Sequence, residues 1–111
     1  MIEIIERHFY YLEQIKFHYT NRQKDNHFEL TIEYCQKQID ISKEVKQVWL
    51  IEYAHDPQLP RHIGFEQLAI IYEKQGKYKE ALELTKRCLE EGWKNDCGKR
   101  IAKLDKKMKS K

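Results

Sequence analysis

The chain of 111 residues is long enough for one domain with a modest core. Charged residues make up 35% of it and hydrophobic residues 41%, a balance typical of amphipathic helices, and no apolar run is long enough to cross a membrane. Four Gly and two Pro are too few for an all-β fold of many short strands. The formal net charge of +3 is uneven, because residues 94–111 hold eight basic and two acidic residues.

The first predicted helix covers residues 2–20, where apolar residues recur in steps of three and four. This stripe consists of Ile2, Ile5, Phe9, Leu12, Ile15 and Tyr19. Tyr10 and Tyr11 make the helix aromatic on more than one side, which indicates either deep burial or a dimer interface. The polar residues that follow, up to Asn26, predict a loop.

Two further helices are predicted before the first proline. The second covers residues 27–41, with Asn26 or Asp25 as its N-cap and with Phe28, Ile32, Cys35 and Ile39 along one side. The third covers residues 43–55 after a cap at Ser42. Its shared face consists of Val45, Val48, Trp49 and Glu52. One long bent helix over residues 28–55 is the alternative.

Residues 55–60 form the clearest boundary, since two prolines disfavour helix in the residues before them. We expect Pro60 in the first turn of a fourth helix over residues 61–75, which ends at a left-handed Gly76. The inward side of this helix consists of Phe65, Leu68, Ala69 and Tyr72.

The fifth predicted helix covers residues 78–91 and ends at Gly92 in the same way. Its inward residues are Tyr78, Ala81, Leu82, Thr85, Cys88 and Leu89. Asp96 is the expected N-cap of a sixth helix that reaches residue 109. Because its apolar residues are few (Ile101, Leu104 and Met108), we expect this helix to lean on the fifth rather than enter the core.

Residues 64–82 resemble a tetratricopeptide repeat (TPR). Leu68 and Tyr72 are large residues for the seam between two antiparallel helices, and Ala69 and Ala81 are small enough for close approach. The remaining matches are Gly76 at the turn, Tyr78 packed over it, and Phe65 where the family often has Trp. The departures are Cys88 at a small-residue position and Gly92-Trp93 where a proline commonly follows.

The resemblance implies an all-α fold of antiparallel helical hairpins with five or six helices. We expect a single helical domain over residues 1–111. Its parts are N-terminal helices over 1–55 with a degenerate repeat, a TPR-like hairpin over 61–93 and a basic capping helix over 95–110. Residues 59–69 and 91–96 also resemble small bacterial TPR-like proteins without an assigned activity, which implies a bacterial or phage origin.

The resemblance further implies that the chain binds a protein or peptide partner in a groove formed by its first helices. The partner-binding candidates are Ile63, Glu66, Gln67, Ile70, Glu73 and Lys74. The alternative is that these residues are only helix surface. Members of the family can bind the C-terminal carboxylate of a partner through Lys and Asn side chains. This mode is disfavoured here, because Glu66 and Ile70 occupy the corresponding positions. We therefore expect an interaction module or scaffold, with a homodimer as one possibility.

The basic C-terminal helix offers a second hypothesis, a nucleic-acid-associated accessory protein. The candidate contacts are Lys99, Arg100, Lys103, Lys106 and Lys107. This segment lacks aromatic residues for base stacking, and lysines also suit a helix C-terminus, so a solvated basic end is favoured over nucleic-acid binding.

The sequence carries no convincing catalytic or metal-binding motif. Its five histidines lack metal-ligand spacing, and neither Cys-x-x-Cys nor His-Glu-x-x-His occurs. Cys88 and Cys97 lie nine positions apart, which fits no standard site. With Cys35 they make an odd count, which favours reduced thiols, and the first residues lack a basic secretory region. We expect a cytoplasmic protein without enzyme activity, catalytic residues, cofactor or metal.

Overall fold

In a computed structural model of the chain, residues 2–110 are described, and they form six α-helices and no strand. The helices are α1 (Ile2–Thr20), α2 (His27–Asp40), α3 (Ser42–Glu52), α4 (Ile63–Lys74), α5 (Tyr78–Glu91) and α6 (Cys97–Lys109). They divide into two compact units, unit 1 up to Leu59 and unit 2 from Pro60. The predicted all-α class is confirmed, and the division falls inside the predicted proline-containing boundary.

Unit 1 contains α1, α2 and α3, and α2 and α3 are separate helices. The break lies at Ile41, so the alternative of one long helix is wrong. The predicted side-chain caps are also wrong: Asn26 makes no capping hydrogen bond, and Ser42 is the first residue of α3 rather than its N-cap. Asp25, the other expected cap, instead has a positive φ of 43° in the preceding turn.

The buried side of α1 differs from the predicted stripe. Ile5 and Ile15 are buried as expected, but Phe9 remains 41% exposed. His8 and His18 are buried instead. The predicted stripe omitted them because it was defined by apolar residues alone. The side chain of Ile2 lies outside the described part of the structure.

The interior of unit 1 is partly polar. Gln38 of α2 is fully buried, and its Nε2 donates a hydrogen bond of 3.1 Å to the carbonyl oxygen of His8 on α1. Thr31 is also fully buried and donates its hydroxyl to the carbonyl oxygen of His27 at 2.9 Å. These buried polar groups are therefore satisfied, as a helical core of this kind requires.

In unit 2, α4 begins at Ile63, later than predicted, and Pro60 lies outside its first turn. His62 is the N-cap, and its Nδ1 accepts a hydrogen bond of 3.1 Å from the N–H of Phe65. The side chain of Asn95 holds the backbone of His62 in an extended conformation. The Oδ1 of Asn95 accepts a hydrogen bond of 2.8 Å from the N–H of His62, and the Nδ2 of Asn95 donates one of 3.0 Å to the carbonyl oxygen of His62. A contact 33 residues away in sequence thus fixes where the helix begins.

Both predicted glycine stops are confirmed. Gly76 has a φ of 78°, and the N–H of Lys77 donates to the carbonyl oxygen of Tyr72 at 2.8 Å, as in a Schellman motif. Gly92 has a φ of 89° and ends α5 at the predicted residue. The first stop lets α5 turn back and pack against α4.

The core of unit 2 joins all three of its helices. The buried cluster consists of Ala69, Ala81, Leu82 and Leu104, with Tyr72, Tyr78 and Ile101 packed against it. Leu104 of α6 is fully buried, so the expectation that α6 stays outside the core is wrong. Leu89 is exposed rather than inward, and Asp96 precedes α6 without making a side-chain capping bond.

Candidate interaction surfaces

The α4 residues expected to line a partner-binding groove are mostly half-buried. Glu73 is buried, Lys74 is exposed and the other four are half-buried; those four are Ile63, Glu66, Gln67 and Ile70. Both carboxylate oxygens of Glu66 are bonded by the guanidinium of Arg61. This side of α4 therefore exposes little side-chain surface.

Glu73 serves the internal structure of unit 2. Its buried carboxylate lies 2.6 Å from Nζ of Lys107, 3.2 Å from Nζ of Lys103 and 3.5 Å from Nη1 of Arg100. Burial alone would raise the pKa of Glu73, but the hydrogen bonds from Lys107 and Lys103 hold it below its ordinary value. These ion pairs connect α4 to α6. They involve three of the five residues predicted to contact nucleic acid, namely Arg100, Lys103 and Lys107.

A basic face remains on the outer side of α6. Lys99, Lys103 and Lys106 are exposed and spaced by four and three residues, so they lie on the same side of the helix. Lys103 contacts Glu73 as well, but 60% of its side chain remains exposed. Nζ of Lys99 is 4.0 Å from the exposed carboxylate of Asp96. An ion pair this long and this exposed to water is weak, so it does not fix the Lys99 side chain. We call these three lysines the basic face of α6.

The outer side of α1 is acidic and aromatic. Tyr10 and Phe17 are 54% and 57% exposed, and their spacing of seven residues puts them on one side of the helix. Glu6 and Glu13, also exposed and seven apart, share that side. We call Glu6, Tyr10, Glu13 and Phe17 the acidic aromatic face of α1. The sequence indicated it only through the excess of aromatic residues on this helix.

More exposed apolar side chains occur nearby in unit 1. The exposed large hydrophobic residues of this unit are Phe9, Tyr10, Phe17, Leu50, Ile51 and Tyr53. Trp49 is half-buried between two of them, with ring centroids 6.2 Å from Phe9 and 4.6 Å from Tyr53. Its indole N–H donates to the carbonyl oxygen of Gln58 at 3.0 Å. Such a concentration of exposed apolar groups is typical of interaction surfaces.

Trp93, by contrast, is a core residue of unit 2. Its ring meets that of His62 edge-on at 4.8 Å, and its indole N–H donates to Glu91 at 2.9 Å. Glu91 in turn accepts a hydrogen bond of 3.0 Å from Arg87. A buried tryptophan with a satisfied N–H stabilises the fold and does not serve as an exposed anchor.

The histidines come closest together in unit 1. The Nδ1 atoms of His18 and His27 are 2.8 Å apart, and the His18 ring stacks on Tyr34 at 5.5 Å. Burial and the nearby His27 lower the pKa of His18. Across residues 2–110, no three His, Cys, Asp or Glu side chains are grouped so that they could hold a metal ion.

A small pocket in unit 2 brings together Cys88 and Cys97, although their spacing in the sequence fits no standard site. Its lining consists of Phe65, Glu66, Ala69, Thr85, Cys88, Asn95, Asp96, Cys97 and Arg100. Its volume of about 30 Å³ admits a water or two and is far below that of a metabolite site. Burial and the adjacent Cys97 raise the pKa of Cys88, the opposite of what an activated nucleophile needs.

Among the helices that the structure describes, none has both the length and the apolar character needed to cross a membrane. Comparisons with protein-family models, with curated proteins and with solved structures found no significant match.

Proposed function

We propose that this chain is a protein-interaction module without chemistry of its own, and that the partner it binds is a second copy of itself. The observation that carries the proposal is the acidic aromatic face of α1. Large, solvent-exposed aromatic side chains are common anchors of protein interfaces. Tyr10 and Phe17 are such anchors, and the carboxylates of Glu6 and Glu13 beside them favour a basic partner surface.

The basic face of α6 has the complementary chemistry. Residues 1–59 hold seven basic and ten acidic residues, whereas residues 60–111 hold fourteen basic and eight acidic ones. Glu6 and Glu13 are seven residues apart, as are Lys99 and Lys106, so two helices lying side by side can form both ion pairs. Each copy carries both faces, so either copy can supply the acidic or the basic side of the contact.

The other interpretations have less support. The TPR resemblance remains a prediction; it agrees with a protein-binding role, and the half-buried side of α4 is the alternative surface. The nucleic-acid hypothesis also remains a prediction, weakened because Glu73 engages Arg100, Lys103 and Lys107. The cytoplasmic location remains a prediction, based on an odd number of cysteines without a pairing motif.

The test is sedimentation velocity of the whole chain over a wide concentration range. We expect a monomer–dimer equilibrium, and we expect Phe17→Ala to raise its Kd about tenfold, which corresponds to about 1.4 kcal/mol of lost anchor energy. Leu89→Ala is the matched control, because Leu89 is similarly exposed but lies on α5. A wild-type chain that stays monomeric throughout, or a Kd that Phe17→Ala leaves unchanged, would contradict the proposal.

A further inference from the structure

Two thiols of unit 2 lie next to each other although their helices differ. Cys88 is in the last turn of α5, Cys97 is the first residue of α6, and both are almost fully buried. Both thiols line the same pocket, and Cys97 is close enough to Cys88 to help raise its pKa. Cys35, the remaining cysteine, is buried in unit 1.

The pocket admits no more than a water or two, so a larger reagent reaches this pair only when the structure around it opens. Asp96, which lies beside Cys97 in its lining, is exposed to solvent, and Glu66 and Arg100 are half-exposed. The five residues between the helices include Gly92, so the segment that carries Cys97 follows a glycine turn and not a continuous helix. A local opening of this segment would expose both sulfur atoms, and it would break the two hydrogen bonds between Asn95 and His62 and expose Trp93.

We propose that Cys88 and Cys97 form an intramolecular disulfide when the chain meets a low-molecular-weight disulfide such as oxidised glutathione. The thiolate of Cys97 attacks one sulfur of that compound, which forms a mixed disulfide and releases one small thiol. The sulfur of Cys88 then attacks the sulfur of Cys97 and releases the second small thiol. Two protein thiols are thereby oxidised, and one small disulfide is reduced to two thiols.

The order of attack follows from the surroundings of each sulfur. Cys97 begins α6 directly after the exposed Asp96, which also lies in the lining of the pocket. Burial and its cysteine neighbour raise the pKa of Cys88, which disfavours it as the first attacker. Its own attack comes second, when the mixed disulfide is already beside it and the reaction is intramolecular.

The product would fasten the end of α5 to the start of α6. Leu104 of α6 packs in the core of unit 2, and Lys107 and Arg100 of α6 contact Glu73 of α4. The disulfide would therefore restrain a helix on which the packing of unit 2 depends. This modification does not depend on self-association, so either proposal can fail without the other.

The experiment incubates the folded chain of 111 residues with oxidised glutathione, then unfolds it, alkylates the remaining thiols and measures the intact mass. We expect a product that is lighter by two hydrogens and carries one alkyl group, on Cys35. Trypsin should then release residues 88–94 linked to residues 95–99, because Arg87, Lys94 and Lys99 place the two cysteines in different peptides.

Matched variants separate the two steps. Cys88→Ser should stop at glutathione attached to Cys97, and Cys97→Ser should yield no disulfide, whereas Cys35→Ser should form the internal bond as the wild type does. Circular dichroism of each variant checks that it is folded. Alkylation of all three cysteines in the treated wild-type chain, or a bond that includes Cys35, would overturn the proposal.

Discussion

Replacing Leu104 by alanine should lower the free energy of unfolding of unit 2 by about 2–5 kcal/mol. Leu104 is fully buried and closes the cluster that Ala69, Ala81 and Leu82 form, so its truncation removes apolar burial and leaves a cavity among small residues that cannot fill it. The loss would be a large fraction of the stability of a domain this size.

Urea denaturation followed by the fluorescence of Trp93 measures this effect, in a Trp49→Phe background so that unit 2 alone is observed. Met108→Ala is the control on the same helix, because Met108 is partly exposed and its loss should cost about 0.5 kcal/mol or less. Equal, small effects of the two substitutions would mean that α6 does not enter the core.

Acidification should destabilise unit 1 well before its carboxylates are protonated. Burial lowers the pKa of His8 from its ordinary value of 6.5 to about 4, and the pKa of His18 is lowered as well. The unfolded chain therefore binds protons that the folded chain excludes. Stability is highest above pH 6.5 and falls as the pH drops toward 4, by about 3 kcal/mol for His8 alone.

Thermal or urea unfolding at a series of pH values tests this sign and window. His8→Gln should reduce the fall between pH 6.5 and 4, with the part due to His18 remaining, and the same change at the exposed His55 is the control for the loss of a histidine. The lowered pKa of Glu73 acts in a separate window, because the stability it contributes is present above pH 4.5 and is lost only below it. Constant stability between pH 7 and 5 would show that His8 and His18 are not buried as described.

Local signals explain why much of the fold could be predicted. Gly76 and Gly92 set the two ends of the α4–α5 hairpin through their own backbone conformations, so their positions predict where the helices stop. The alternation of small and large residues along α4 and α5 likewise identifies the side that packs, because Ala69 and Ala81 permit close approach.

What the sequence could not predict depends on distant partners. The start of α4 is set by Asn95, and the buried side of α1 includes two histidines that pattern analysis treats as polar. The role of Glu73 required the position of α6, since its three cations lie 27 or more residues away in sequence. The pairing of Cys88 with Cys97 required the path of the chain after Gly92.

The most direct test of self-association is a charge exchange between the two proposed faces. One variant carries Glu6→Lys and Glu13→Lys, the other Lys99→Glu and Lys106→Glu, and Glu33→Lys on the exposed side of α2 is the control. In sedimentation velocity, each double variant alone should be monomeric, because its α1 face and its α6 face then carry like charges. An equimolar mixture of the two should form a heterodimer, since the α1 face of one variant and the α6 face of the other carry opposite charges. Dimerisation of either double variant alone, or a mixture that remains monomeric, would contradict the proposed interface.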